Sequence, residues 1–176
     1  LLLSSIVSTS LIFSGLFGSP VASADNNNYD LQIDAKHQDL DYKNNTLYFY
    51  GGVTVQVGDM SIVAQELFVN TKDGVGQKLI AKGTPAVFSR KENPETGSDG
   101  VDASANEIVF VFAEEILRLI GDAKFRQGNT DVAGGLIEFD LVKERVQADG
   151  GSEEGSRVTT TIKTAKKKQN KQQDNE

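Results

Sequence analysis

From Leu31 to about Ile162, apolar and polar residues alternate with a period of two. Runs such as Leu31-Gln-Ile33, Leu47-Tyr-Phe49, Val53-Thr-Val55-Gln-Val57, Phe110-Val-Phe112 and Ile137-Glu-Phe139 carry β-branched and aromatic side chains, as half-buried strands do. Turn residues punctuate the pattern at Lys43-Asn44-Asn45, Gly51-Gly52, Gly58-Asp59, Lys72-Asp73-Gly74, Gly83-Thr84-Pro85, Gly121-Asp122, Gly128-Asn129 and Asp149-Gly150-Gly151. Together these signals predict an all-β fold of about 16 short antiparallel strands. The helix-like window Ala113 to Leu119 is too short to stand between strands, so helix is expected to be nearly absent. Alternation turns Leu47, Phe49, Val55, Ile62, Val69, Leu117, Leu119, Phe125, Val132, Ile137 and Phe139 toward a common interior.

The pattern occurs twice. Ile33-Asp34-Ala35 recurs as Val101-Asp102-Ala103, and Leu40-Asp-Tyr42 as Ile108-Val-Phe110. Leu47, Gly51 and Gly58 recur as Leu117, Gly121 and Gly128, and Ala81-Lys-Gly83 as Ala148-Asp-Gly150. Each copy is a meander of seven or eight short strands, and residues 91–100 form the loop that joins the copies. One domain is therefore expected over residues 25–162, with apolar sheet faces brought together as in a jelly roll. The first and last strands of such a stack are edges with unpaired backbone groups, which can serve as docking surfaces.

Residues 1–24 read as a targeting signal whose own start is missing: an uncharged apolar run, then Gly18-Ser19-Pro20 and an A-x-A ending at Ala24. Cleavage is expected between Ala24 and Asp25, giving an exported protein. Residues 163–176 form a Lys/Gln-rich tail expected to be disordered. Cysteine is absent, so an exported domain of this kind is held by strand hydrogen bonds and burial alone. The formal net charge of −7 argues against nucleic acid as a partner and against capture of anions by a general positive field.

Candidate chemistry is sparse. His37 is the single histidine and sits in a polar stretch without a nucleophile motif, and zinc–thiolate sites need cysteine that is missing. Glu114-Glu115 reads as a solvated turn, and Asp25 to Asp30 lacks the spacing of a calcium loop. Neither an enzyme nor a bound cofactor or metal is expected.

The order of elements resembles the LptA (OstA-like) family of periplasmic lipopolysaccharide transport. The resemblance runs through Leu31-Gln-Ile33-Asp34-Ala35, Thr46 to Val55 with Gly51-Gly52, and Ile62 to Val69. It continues in Gly83-Thr-Pro85-Ala86-Val-Phe88 (the family's G-x-P-A-x-F), Leu119-Ile-Gly121-Asp-Ala123, Leu141 to Glu144 and Arg157-Val-Thr-Thr160. It implies a twisted β jelly roll open at both ends that binds the lipid A part of lipopolysaccharide in its interior. Leu31 and Ile33 would lie near the N-terminal edge, and Phe88, Phe110 and Phe112 would touch acyl chains, joining the inward positions given above. It also implies an LptC-like inner-membrane partner at the N-terminal edge, an LptD-like outer-membrane receptor at the C-terminal edge, and head-to-tail self-association. An LptC-like protein, a receptor N-terminal module, or a structural β protein without lipid would share the same pattern.

Overall fold

The computed structural model describes residues 30–152 and 154–164. The expected cleavage site at Ala24 and Asp25, and the tail beyond residue 164, lie outside them. Nine strands form one antiparallel sheet in which neighbours in sequence are neighbours in space from β1 to β8. They are β1 Leu31–Asp41, β2 Thr46–Val57, β3 Met60–Lys72, β4 Val75–Arg90, β5 Val101–Val111, β6 Ile116–Gln127, β7 Thr130–Asp140, β8 Arg145–Asp149 and β9 Thr159–Ile162. β9 returns to pair with β7 rather than β8. There is no helix among the described residues.

The short strands read from sequence are limbs of longer ones. Gly51-Gly52, Gly83-Thr84-Pro85 and Gly121-Asp122 do not end strands; they lie inside β2, β4 and β6, at breaks in the hydrogen-bond register. Gly51 and Gly52 both have φ +87, a conformation glycine adopts without Cβ strain, so the chain can bend there and resume its ladder. Pro85, which has no N–H to give, falls between the paired residues Lys82 and Ala86. The ladders of β1 through β7 all break in this way, so seven bent strands plus β8 and β9 give sixteen limbs.

The bends fold the sheet over on itself. One half-sheet carries the early limbs of β1, β3, β5 and β7, the late limbs of β2, β4 and β6, and β9; the other carries the remaining limbs and β8. Phe125 of the first meets Phe139 of the second with ring centroids 5.0 Å apart. Between the halves lies one apolar cluster running from Phe49 and Val53 to Phe139 and Leu141. At about 25 cal/mol per Å² of apolar surface, this burial is the main term that holds a cysteine-free fold together.

The repeat is real and its spacing is 70 residues over the first three strands. Leu40 pairs with Leu47 as Phe110 pairs with Leu117, and Leu31 with Val57 as Val101 with Gln127. Phe110, not Ile108, is therefore the counterpart of Leu40, and Val101 that of Leu31. A two-residue slip keeps every side chain on its face, so alternation alone could not detect it. The fourth strand is split in the second copy. β8 takes the place of the first limb of β4, because Ala148 pairs with Ile137 as Ala81 pairs with Leu67. β9 takes the place of the second limb, because Ile162 pairs with Thr130 as Arg90 pairs with Met60.

Candidate functional site

All sixteen apolar positions expected from the sequence belong to the interior cluster or pack against it. They do not share one environment. A cavity of about 830 Å³ opens between the half-sheets toward the N-terminal edge. Leu31, Ile33, Leu47, Phe49, Val69, Phe110 and Phe112 line it. Val55, Ile62, Phe88, Leu117, Leu119, Ile137 and Phe139 are instead buried away from that wall, and Phe125 and Val132, also buried, border a separate cavity of about 540 Å³.

The walls come from opposite limbs. Leu31 and Ile33 of β1 and Met60 of β3 stand on one half-sheet, while Leu47, Phe49, Val69 and Phe110 stand on the other. Phe112 begins the β5–β6 turn and meets Phe110 edge-to-face, with centroids 5.1 Å apart and an interplanar angle of 87°. Gly76 leaves room for that ring: a Cβ there would lie 3.4 Å from Phe112 Cε2. The volume is within the range of small-molecule sites, and the wall exposes polar and apolar surface in nearly equal measure, the apolar part coming from the inward strand residues.

The rim is polar and acidic. Asp30, Asp59 and Glu115 border the cavity, and Arg90 is the single basic residue among its lining. Sequence reasoning missed Met60, Leu141 and Arg90. The first two are in phase with the alternation through Ile62 and Phe139, so the signal was present. Arg90 is in phase with Ala86 and Phe88, yet a charged residue at a strand end reads as solvated.

The β1–β2 and β7–β8 turns are shaped by carboxylates. Asp41 accepts bonds from the backbone and side chain of Asn44 at 3.0 and 2.7 Å, which hold its carboxyl below the usual aspartate value. Asp140 accepts from the Lys143 ammonium at 2.7 Å and the Lys143 N–H at 2.9 Å, with the same effect. His37 lies apart from the cavity, exposed and stacked on Tyr50 at a centroid distance of 4.8 Å. Among the described residues no group of His, Asp and Glu is placed to hold a metal ion. What this arrangement offers chemically is apolar contact inside, bordered by three carboxylates and one guanidinium.

Comparison with known proteins adds the family. Residues 32–145 match the family model described as LptA/(LptD N-terminal domain) LPS transport protein. The chain belongs to this family. A relative named lipopolysaccharide export system protein LptA from Haemophilus influenzae is 27% identical over 147 residues, covering 82% of this chain and 83% of the relative. The protein of that name from Escherichia coli K12 is 28% identical over 134 residues, covering 75% and 70% respectively. Among solved structures, the LptA-homologous periplasmic component LptH of Pseudomonas aeruginosa superposes with a TM-score of 0.70 at 21% identity. That match covers 77% of this chain and 96% of LptH, which establishes the shared jelly-roll fold.

Proposed function

We propose that the protein is a periplasmic carrier that holds the acyl chains of lipopolysaccharide between its half-sheets while the polar head group stays at the rim. The observation that carries this reading is the cavity left between the two half-sheets, walled on both sides by Leu31, Ile33, Phe49, Phe110 and Phe112 and continuous with the shared apolar cluster. Burial of each methylene contributes about 0.8 kcal/mol, so ten give about 8 kcal/mol, whereas an exposed ion pair gives about 0–1 kcal/mol. A chain of net charge −7 can therefore retain an anionic glycolipid by its tails.

Transfer across the envelope needs a continuous path, and the fold's internal repeat supports one. Inside the chain the two repeats join through β4 and β5, a ladder running from Lys78↔Val111 to Arg90↔Val101. β8 and β9 occupy the place of β4 in the second copy, and β1 occupies that of β5 in the first. Pairing of the β8/β9 edge of one molecule with β1 of the next would repeat a junction the chain already makes. The same edges suit an LptC-like partner at β1 and an LptD-like receptor at β8/β9. No passage of the lipid through water is then required, because each molecule offers an equal environment.

Native mass spectrometry of protein purified from envelopes tests the carrier reading, together with photo-crosslinking from Phe112 in cells. Lipid A retained on the protein and captured at Phe112 is the expected result. An empty protein with no lipid captured at that position would overturn it.

A further inference from the structure

Arg90 ends β4 on the inward side, in phase with Ala86 and Phe88, and its side chain is only 10% exposed. Its guanidinium lies over the Phe139 ring, 5.6 Å from the centroid, where the open cavity meets the packed half of the interior. Nη2 donates to Ser98 Oγ at 2.9 Å, and at 3.4 Å to both the Asp99 carbonyl and Glu144 Oε1. Ser98 Oγ in turn donates to Glu144 Oε1 at 2.7 Å. These bonds clasp the loop 91–100 to the β7–β8 turn, joining opposite half-sheets across the open side of the roll.

The clasp leaves the cation under-committed. A guanidinium has five N–H donors, and Nε and Nη1 have no acceptor among the described residues. No side-chain nitrogen there is both sealed and unpaired, so those donors reach accessible space. Two of the three bonds are long for N–H···O, and Glu144 is 49% exposed, so its carboxylate can leave for water. Planar guanidinium groups take phosphate through two parallel bonds, which a carboxylate shared with Ser98 does not provide here.

We infer that Arg90 is an anion site bordering the cavity, where a phosphate group of an acylated amphiphile replaces Glu144 and releases the clasp between loop 91–100 and turn 141–144. This rests on the carrier reading. The acidic rim of Asp30, Asp59 and Glu115 disfavours free anions, so the phosphate must be delivered by a ligand already retained through its apolar part. Exchange of one anion for another keeps a negative partner on the buried cation, a phosphate monoester bringing more charge than the carboxylate it displaces, and the open clasp lets a protruding head group pass toward the C-terminal half.

The full chain is titrated with bisphosphorylated lipid A, with dephosphorylated lipid A of the same acylation, and with inorganic phosphate, reading affinity and amide hydrogen exchange. Loss of a charge-assisted bond pair corresponds to about tenfold in Kd. Dephosphorylated lipid A is expected to bind about tenfold more weakly, and Arg90→Gln to abolish that difference. Only the phosphorylated lipid should speed exchange at residues 91–100 and 141–144. Glu144→Gln, which keeps Arg90, should widen the preference for the phosphorylated form, and it carries the test if Arg90→Gln does not fold. Equal binding of both lipids by wild type, or equal weakening of both by Arg90→Gln, overturns the site while leaving the carrier intact. Opening by inorganic phosphate at the same concentration overturns the amphiphile requirement. Failure of wild type to bind either lipid removes the carrier reading and this site with it.

Discussion

Phe112 and Leu119 are both inward apolar positions, yet the fold separates the consequences of truncating them: both cost stability, and only one costs binding. Leu119 is 0% exposed in the packed half of the interior and does not border the cavity. Leu119→Ala leaves a void in surroundings that relax only partly, and the expected loss is about 3 kcal/mol of stability. Phe112 is half-buried on the cavity wall against Phe110. If its ring buries roughly 80 Å² in the empty protein, Phe112→Ala removes about 2 kcal/mol at about 25 cal/mol per Å². The remaining ring surface is available to a bound acyl chain. Its loss should cost about 2 kcal/mol more in binding, roughly thirtyfold in Kd. Urea unfolding gives the first pair of numbers, and lipid A titration of the folded fraction gives the second. Leu119→Ala should keep wild-type affinity once folded. An unchanged Kd for Phe112→Ala, or equal weakening by both variants, would refute the assignment of the ligand to this cavity.

Three further outcomes follow from the geometry. Gly135→Ala should destabilise the fold by several kcal/mol in thermal or urea unfolding. Its Cβ would lie 2.5 Å from the Gly150 carbonyl oxygen and 2.7 Å from Gly151 Cα, both backbone atoms that cannot swing aside. Asp41, Asp131 and Asp140 have carboxyl pKa values lowered, chiefly by side-chain hydrogen bonds from Asn44, Arg126 and Lys143 respectively. A lowered folded-state value contributes stability that is full above the unfolded value of about 3.9 and is lost as pH falls through the folded value. Unfolding free energy measured against pH should therefore decline below about pH 4, and a curve flat down to pH 2 would contradict the turn geometry. Removing residues 159–176 takes away β9, whose four residues are all exposed, and unpairs Thr130 to Ala133 of β7. Amide exchange at 130–133 should rise, with a stability loss of about 1–3 kcal/mol from the lost backbone bonds and an intact apolar core.

Much of this molecule is decided locally. The period-two alternation of Leu47-Tyr-Phe49, Val53-Thr-Val55 and Leu117-Arg-Leu119 determines an all-β fold and which side chains face inward, because successive residues of a strand point to opposite faces. Asn45, Asp73-Gly74 and Gly128 mark true reversals, since turns need residues that tolerate φ > 0. The order of glycine-bounded elements carried the family. What alternation cannot carry is anything invariant to a slip of two residues or to a bend within a strand. The 70-residue spacing, the continuity of β2 through Gly51-Gly52, and the splitting of the last repeat strand into β8 and β9 were decided by hydrogen-bond pairing between distant segments. The same holds for the site. Each inward residue was legible one by one, but whether it meets a facing side chain, as Phe125 meets Phe139, or open space, as Phe112 does, depends on how the two half-sheets close. Arg90 shows this most plainly: its inward phase is written in β4 and Ser98 lies in the loop that follows, while Glu144 is 54 residues away and meets it only when the sheet folds over.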